Sequence, residues 1–147
     1  MTVSLLDVNF LVALFDPSHL HHDPAHHWFS KHAKSGWATC PLTENGFVRV
    51  VCQARHLGGL RTPKALAGRL LELRQIGRYE FWNDRISLLD PGRFDLEKLP
   101  GPSQITDVYL LALAVERRGR LVTFDRSIAW RSVSGATAAD IHLLSAA

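Results

Sequence analysis

The chain has 147 residues, of which 46% are apolar and 21% are charged. This length suits one folded domain with a hydrophobic core and is short for two, and the lack of a long polar or low-complexity run argues against extensive disorder. The 17 basic and 14 acidic side chains give a net charge of +3, which is too small by itself to indicate a polyanionic partner. Arg accounts for 13 of the basic residues and binds phosphate well, so nucleic acid is indicated only weakly.

The cysteines and the N-terminal residues bear on the cellular setting. Cys40 and Cys52 are too few for a disulfide framework and lack the spacing of a zinc site, and the valines around Cys52 predict a buried thiol. The N-terminal stretch has no basic leader, and Asp7 and Asp16 interrupt its apolar residues, so it resembles neither a secretory signal nor a membrane span. We therefore expect a cytoplasmic protein in a reducing environment, without membrane contact.

The first half of the chain alternates between strand and helix patterns. Short apolar runs predict strands at residues 3–6 and 37–39. Proline and glycine positions, together with apolar spacings of three and four residues, predict helices at 9–15, about 24–35, 43–54 and 63–76. In the second of these helices, Asp23 is the expected N-cap, Pro24 the first helical residue and Gly36 the residue after its end.

The second half of the chain predicts three strands and one helix. The strands are 79–82, 121–124 and 141–144, and the helix is 108–115. Gly119 is expected just after the end of this helix, and residues 84–102 give mixed signals with several prolines. The alternation predicts one α/β domain over residues 1–147, with a mainly parallel central sheet flanked by helices.

Two acidic residues directly follow predicted strands. Asp7 comes after the first strand, and Asp125 comes after the strand at 121–124. Ligands of open parallel sheets bind in the crevice beyond the carboxyl ends of the strands. If these two strands are neighbours, both carboxylates project into one crevice, although an Asp in such a position can also simply cap the next turn.

Two further acidic residues lie on the apolar faces of predicted helices. Glu44 shares a face with Phe47 and Val51, and Asp107 shares one with Leu110. A surface helix normally keeps its acids on the opposite face. Both acids also lie in the first helical turn, where the helix dipole favours a negative charge, so stabilisation of the helix is the alternative role for each.

Four carboxylates in one crevice repel one another unless a cation neutralises them, and the repulsion raises their pKa values. Ligation by Asp and Glu oxygens alone suits Mg²⁺ or Mn²⁺ better than zinc. The sequence has no GxxxxGK(S/T) loop, no GxGxxG after the first strand and no GxSxG elbow, which excludes the corresponding nucleotide-binding and esterase sites. Metal-dependent chemistry on a phosphate ester is the reaction class that remains.

Four short motifs resemble, in order and spacing, those of the PIN-domain ribonucleases. They are Leu5-Leu6-Asp7-Val8-Asn9, Thr43-Glu44, Thr106-Asp107 and Thr123-Phe124-Asp125. Each motif is common by itself, whereas the ordered set of four is fairly specific. The length, the early His- and Pro-rich helix and the Thr-x-Asp ending are most similar to the VapC toxins of bacterial and archaeal toxin–antitoxin pairs.

This resemblance implies a PIN fold and a Mg²⁺- or Mn²⁺-dependent endoribonuclease that often dimerises and is inhibited by a VapB-type antitoxin. By position, it assigns the catalytic and metal-binding roles to four acids, Asp7, Glu44, Asp107 and Asp125. It also matches three accessory polar positions, Asn9, Thr106 and Thr123.

The resemblance also suggests how such a site works. Asp7 and Asp107 would hold the principal metal ion, and Glu44 and Asp125 would complete the site directly or through water. Water activated by the metal would then attack the RNA phosphate, which predicts products with 5′-phosphate and 3′-hydroxyl ends. The accessory polar residues would orient the carboxylates or water.

Two groups of arginines are candidates for RNA contact. Arg126 and Arg131, which follow the last of the four acids, are the preferred phosphate ligands. A second group lies at the end of the predicted helix over 108–115, where cations equally complement the helix C-terminus. It comprises Arg117, Arg118 and Arg120.

Six of the eight histidines lie within residues 19–32. His22 and His26, one helical turn apart, are candidates for a transition-metal site. The irregular spacing of the six favours instead a polar, partly exposed helix face.

Two alternatives to an endoribonuclease stay open. One is a non-catalytic RNA- or protein-binding PIN module, which is disfavoured because such a domain has no electrostatic reason to keep four mutually repelling acids. The other is a different metal-dependent phosphohydrolase or a DNA nuclease, which would use the same acids.

Overall fold

A five-stranded sheet lies at the centre of the computed structural model, which describes residues 2–145. Its strands are β1 (Ser4–Leu6), β2 (Trp37–Thr39), β3 (Tyr79–Phe81), β4 (Arg120–Thr123) and β5 (Ile141–Leu143). They lie in the order β3-β2-β1-β4-β5, and every adjacent pair is parallel. The predicted α/β class with a mainly parallel sheet is confirmed.

Five α-helices of the described chain pack around this sheet. They are α1 (Val8–Phe15), α2 (His22–His32), α3 (Pro41–Cys52), α4 (Pro63–Leu73) and α5 (Ile105–Glu116). Each corresponds to a predicted helix, with ends that differ by a few residues. None of the described helices combines the length and the apolar content needed to cross a lipid bilayer.

Short 3₁₀ helices join several of these elements. They lie at Ala33–Ser35, Arg55–Arg61, Leu96–Lys98, Pro102–Gln104, Trp130–Ser132 and Ala138–Asp140. Such short segments have no apolar period that a sequence pattern could reveal. Only Ala33–Ser35 lies within a predicted helix, the one at about 24–35.

The sheet divides the core into two apolar layers, because strand side chains alternate between its faces. Leu5 and Leu121 belong to the layer that contains α5, whereas Leu6 and Val122 belong to the layer with α1 to α4. Every residue of β1 and β2 is buried. Burial on both faces explains the short, uninterrupted apolar runs in the sequence.

The start of α2 differs from the prediction. Asp23 lies in the first turn of the helix rather than at its N-cap, because the helix begins at His22, two residues before the predicted start at Pro24. The N-cap position is His21, which makes no side-chain cap hydrogen bond. Gly36 does follow the end of the helical segment, and its φ of 118° suits glycine.

Two further predictions are wrong in detail. Cys52, expected as a buried thiol, is half-buried, whereas Cys40 is buried. The strand predicted at 121–124 ends at Thr123, because the N–H of Phe124 turns to the side chain of Asn9.

Residues 84–102, which gave mixed sequence signals, pack against the α5 layer. Ile86 and Phe94 are buried there, and Phe94 forms an isolated antiparallel bridge with Val133. The bridge joins two segments that are distant in sequence and lack regular structure, so no local pattern predicts it.

The direction in which the chain crosses the sheet changes at β1. β2 and β3 lie on one side of β1, and β4 and β5 lie on the other. The loops at the carboxyl ends of the strands diverge at such a point and leave a crevice between them. The pair of β1 and β4 therefore marks the edge where Asp7 and Asp125 can meet.

The end of α5 forms a Schellman motif in which Arg118, not Gly119, takes the left-handed conformation. Arg118 has a φ of 56°. Its N–H donates to the carbonyl of Val115 at 3.0 Å, and the N–H of Gly119 donates to the carbonyl of Ala114 at 2.8 Å. This hydrogen-bond pattern satisfies two carbonyls at the end of the helix.

Gly119 is required for a different reason, because a Cβ atom there would collide with the carbonyl oxygen of Val3 and the ring of Trp82. Gly119→Ala is expected to lower the free energy of unfolding by about 1–3 kcal/mol through overpacking. Gly68, in the middle of α4, has open space around its Cβ position and is the matched control. Gly68→Ala is expected to raise the same quantity by about 0.5–1 kcal/mol. Urea unfolding measures both, and equal effects would contradict this explanation of Gly119.

Candidate active site at the carboxyl edge of the sheet

Asp7 is a buried carboxylate directly after β1. It is the N-cap of α1, and its Oδ1 accepts the N–H of Val8 at 2.7 Å. Its Oδ2 accepts the hydroxyl of Thr123 at 2.7 Å, from the end of β4. The residue is only 4% exposed, and this burial raises the pKa of its carboxyl, with a smaller contribution from the charge of Asp125.

Thr123 connects Asp7 to two other parts of the edge. Its Oγ1 accepts a hydrogen bond from the side-chain amide of Asn9 at 3.2 Å and another from the N–H of Asp125 at 3.0 Å. Because its own proton goes to Asp7, the one donor and both acceptor positions of this hydroxyl are occupied. One buried hydroxyl therefore links α1, β4 and the turn that carries Asp125.

Asp107, in the first turn of α5, comes close to both Asp7 and Asp125. Its side chain is partly buried, and its pKa is raised to about 7. Burial is the largest cause, followed by the charge of Asp7 and then by the adjacent Asp125 carboxylate. The structure thus brings together three of the four acids that the sequence singled out.

Asp125 is the most readily ionised of these three. Burial opposes its ionisation, but hydrogen bonds from Ser127 and the contact with Asp107 outweigh burial and lower its pKa. Its Oδ1 accepts the N–H of Ser127 at 2.8 Å and the Ser127 hydroxyl at 2.7 Å.

Glu44 lies at the same edge of the sheet but has different partners. It is in the first turn of α3, after β2, and its Oε2 accepts the hydroxyl of Thr39 at 2.8 Å. The hydroxyl of Tyr79 lies 3.4 Å from the same oxygen. No hydrogen bond joins Glu44 to the three aspartates in the described structure, so the convergence of Glu44 with them stays a prediction.

The donor set of this edge fits a hard divalent cation better than zinc, because it consists of carboxylate oxygens. The like charges that raise the pKa of Asp107 are the repulsion that such a cation would relieve. Across residues 2–145, however, no three His, Cys, Asp or Glu side chains are already spaced as a metal site.

Comparisons with known proteins place the chain in a family, although no protein-family model matches it. Ribonuclease VapC44 of Mycobacterium tuberculosis is 47% identical over 135 residues, which are 91% of this chain and 94% of that protein. Ribonuclease VapC38 of the same organism is 44% identical over 126 residues, covering 86% and 87% of the two chains. Ribonuclease VapC39 is 36% identical over 132 residues, covering 90% and 95%.

The chain belongs to the VapC ribonuclease family. Its fold is also similar to a chain in the crystal structure of VapBC2 from Rickettsia felis bound to a DNA fragment from their promoter. The TM-score is 0.63 at 13% identity, and the match covers 97% of this chain and 99% of the other. The resemblance to PIN-domain VapC toxins that the sequence motifs indicated is confirmed.

The three accessory positions of this VapC chain are placed differently. Asn9 and Thr123 share the hydrogen bonds around Asp7. Thr106 is exposed at the start of α5, and the structure does not bring its side chain into those hydrogen bonds. Asn9, which lies shortly after β1, and Thr123, which ends β4, are therefore the two that contribute to the hydrogen bonds around Asp7.

Sequence reasoning missed three side chains that contact the acids, Ser127, Thr39 and Tyr79. Ser127 was detectable, because an Asp followed two residues later by Ser is typical of a turn in which the carboxylate accepts local N–H and O–H groups. Thr39 and Tyr79 meet Glu44 from two separate strands. No local pattern signals such a contact.

The two arginines preferred as phosphate ligands are both exposed. Arg126 directly follows Asp125 in the chain, and the guanidinium of Arg131 lies over the ring of Trp130 at 4.5 Å. Both are accessible to a polyanion, and their role in RNA binding stays a prediction.

The second arginine group has mainly structural contacts. The guanidinium of Arg117 lies 6.0 Å from the ring centre of Trp82. Arg120 begins β4, where it donates to the hydroxyl of Ser4 at 3.0 Å and lies 3.0 Å from Nδ1 of His142. The start of a strand is opposite the carboxyl edge, so Arg120 is remote from the acids.

Two histidines of the cluster contact backbone carbonyls in the last turn of α1. Nδ1 of His22 lies 2.8 Å from the carbonyl oxygen of Ala13, and Nε2 of His26 lies 2.8 Å from that of Leu14. These carbonyls are in the last turn of α1, where they have no partner within the helix. The contacts favour the polar-face interpretation over a transition-metal site.

The raised pKa of Asp107 predicts a cost in stability at neutral and alkaline pH. Because the folded pKa of about 7 exceeds the usual 3.8, the protein loses stability as the pH rises between these two values. Asp107→Asn removes the charge and is expected to raise the melting temperature at pH 8 by about 3–6 °C, after allowance for solvent screening. At pH 4 the variant and the wild type are expected to melt alike.

Calorimetry at the two pH values measures this difference. Glu72→Gln is the control, because Glu72 is an exposed acid near the end of α4, which leads into the start of β3 and so lies opposite the carboxyl edge. A lower melting temperature for Asp107→Asn at pH 8 would show that Asp107 stabilises the fold and that repulsion does not dominate at this edge.

Proposed function

We propose that this chain is the endoribonuclease toxin of a VapBC-type pair and that it cleaves RNA with Mg²⁺ or Mn²⁺. The active site comprises the four acids, Asp7, Glu44, Asp107 and Asp125. The observation that carries the proposal is the convergence of three aspartates from three separate chain segments, one of them with its pKa raised to about 7. Such a perturbed carboxyl in a crevice at the carboxyl edge is typical of a functional site.

Asp7 and Asp107 are the proposed principal ligands, and Asp125 and Glu44 complete the site directly or through water. When bound, the divalent cation supplies Lewis-acid activation of water and of the scissile phosphate. Water as the nucleophile leaves the 2′-hydroxyl of the RNA unused, so the products carry 5′-phosphate and 3′-hydroxyl ends.

The surrounding side chains determine how these carboxylates are presented. Each oxygen of Asp7 accepts one hydrogen bond, from Val8 and from Thr123, which fixes the orientation of the carboxylate. Ser127 engages only Oδ1 of Asp125. Asn9 restrains the Thr123 hydroxyl in turn. Hydrogen bonds of this kind to metal-ligating carboxylates orient them and tune their affinity.

The charge distribution supports a polyanionic substrate. Four of the 14 acidic side chains belong to the proposed site, so the rest of the chain carries ten acidic groups against 17 basic ones. Arg126 and Arg131 are the proposed phosphate contacts, because they are exposed and follow the acidic edge in the chain. A basic surface around an acidic crevice attracts RNA and confines the metal to the crevice.

The proposed partners follow from the family. A VapB-type antitoxin is the proposed inhibitor, supported by the likeness of this fold to a chain of a VapBC2 structure. A homodimer in a cytoplasmic setting is proposed on the resemblance to VapC toxins.

Substitution of the aspartates tests this function. Asp7→Asn and Asp107→Asn are expected to lower the rate of Mg²⁺-dependent RNA cleavage by about 100-fold or more, because each removes a ligand charge. Glu72→Gln, which changes an exposed acid near the end of α4, is expected to leave the rate unchanged. Gel analysis of labelled RNA, with circular dichroism to check folding, measures these effects.

The same assay separates the alternatives. Excess EDTA is expected to stop cleavage by the wild-type protein, and DNA is expected to stay intact. Full activity in either aspartate variant or in EDTA would contradict the proposed site. Cleavage of DNA in preference to RNA would instead identify a DNA nuclease, and no cleavage under any condition would indicate a binding module.

A further inference from the structure

The backbone at Glu44 is fixed, whereas its side chain has three rotatable bonds. Pro41 begins α3, and the hydroxyl of Thr43 accepts the N–H of Cys40 at 2.9 Å, which holds the first turn of the helix. Neither contact selects a rotamer for Glu44. Any fixed position of its carboxylate must therefore come from contacts of the carboxylate itself.

Two hydroxyl groups provide those contacts. Oγ1 of Thr39 lies 2.8 Å from Oε2 of Glu44, and the hydroxyl of Tyr79 lies 2.6 Å from Oγ1 of Thr39. A carboxylate only accepts hydrogen bonds, so the Thr39 proton points to Glu44. Tyr79 must then donate to Thr39, and the three groups form one directed chain from Tyr79 to Glu44.

The donors themselves are held firmly. Thr39 is only 2% exposed at the end of β2. The ring of Tyr79 packs against Trp37 with 4.8 Å between centroids, and the guanidinium of Arg74 lies over the ring of Tyr79, 5.0 Å from its centroid. The indole N–H of Trp37 donates in turn to the carbonyl of Ile76 at 2.9 Å. The packing of its ring therefore holds the hydroxyl of Tyr79 in place.

Both hydroxyl groups lie on the side of one carboxylate oxygen, and the Thr39 hydroxyl donates to it. Thr39 and Tyr79 both approach Oε2 of Glu44, so Oε1 is not engaged by the pair. A ligand carboxylate with one oxygen restrained and the other available is oriented before the ion arrives.

We propose that Thr39 and Tyr79 are positioning residues that orient Glu44 for divalent metal and thereby increase the affinity of the site. The inference rests on the proposed function, in which Glu44 completes the metal site. It assigns no contact with RNA or with the reacting atoms to either hydroxyl. The competing explanation is that the two hydroxyls only tie β2 to β3.

Three variants separate these explanations. Thr39→Val removes the hydroxyl and keeps the shape, Thr39→Ser keeps the hydroxyl, and Tyr79→Phe removes the outer hydroxyl while keeping the ring packed. The dissociation constant for Mn²⁺, measured on the whole protein by electron paramagnetic resonance of the free ion, is expected to rise about 10-fold in Thr39→Val. A rise of about 3-fold to 10-fold is expected in Tyr79→Phe, and Thr39→Ser is expected to stay within about twofold of the wild type.

RNA cleavage provides the second measurement. At saturating Mg²⁺ the KM for RNA is expected to be unchanged in all three variants, while more Mg²⁺ is needed for half-maximal rate in Thr39→Val and Tyr79→Phe. In a Glu44→Gln background, Thr39→Val is expected to change Mn²⁺ affinity by less than about twofold, because the carboxylate on which Thr39 acts has been removed.

Unchanged Mn²⁺ affinity in Thr39→Val and Tyr79→Phe would overturn the inference and leave the hydroxyls as a link between strands. If Thr39→Val fails to fold, Tyr79→Phe decides between the two explanations, since it removes only the hydroxyl and keeps the ring packed. Failure of the proposed function has a different signature, because the wild-type protein itself would then neither bind Mn²⁺ nor cleave RNA.

Discussion

The hydrogen bond from Thr123 to Asp7 fixes the geometry on which the rest of the carboxyl edge depends. A carboxylate as buried as Asp7 requires partners, and it has the N–H of Val8 and the hydroxyl of Thr123. Because Thr123 ends β4 and Asp7 follows β1, the bond joins the two strands that flank the crevice. The hydroxyl of Thr123 also accepts hydrogen bonds from the side chain of Asn9 and from the N–H of Asp125. It therefore positions the turn that carries Asp125.

Once these strands are joined, the charges of the edge are forced together. Asp107 enters from α5 and meets the charges of Asp7 and Asp125, and its pKa rises to about 7. The fold tolerates this repulsion rather than separating the acids, as expected where the binding of a cation compensates for it. The small net charge of +3 therefore describes neither the acidic crevice nor the Arg-rich remainder of the chain.

Much of this arrangement could be predicted from the sequence, because strand ends and helix starts leave local patterns. The apolar run before Asp7 identifies a buried strand, and the parallel sheet then predicts that Asp7 and Asp125 lie at one edge. The position of Asp107 on an apolar helical face indicated that it was not an ordinary surface acid. These inferences use only residues that are neighbours in the chain and one rule of sheet topology.

The details that escaped prediction depend on contacts between distant segments. The hydrogen-bond partners of Glu44 come from the end of β2 and the start of β3, and no local signal pairs Thr39 with Tyr79. Gly119 was expected to end α5 through its backbone conformation, whereas Arg118 takes that conformation and Gly119 is needed for packing. The histidines were expected to form a polar helix face, and the contacts of His22 and His26 with the carbonyls of α1 could not be predicted from their spacing.

The central claim is that Asp7, Asp107 and Asp125 form a site that a divalent cation completes. Titration calorimetry of Mn²⁺ binding in buffers of different ionisation enthalpy tests it most directly, because it counts the protons that the metal displaces. With a pKa of about 7 for Asp107, binding at pH 7 is expected to release about half a proton per ion, and almost none at pH 9. Asp107→Asn should abolish the release. Binding without any proton release at pH 7, or no binding at all, would contradict the account.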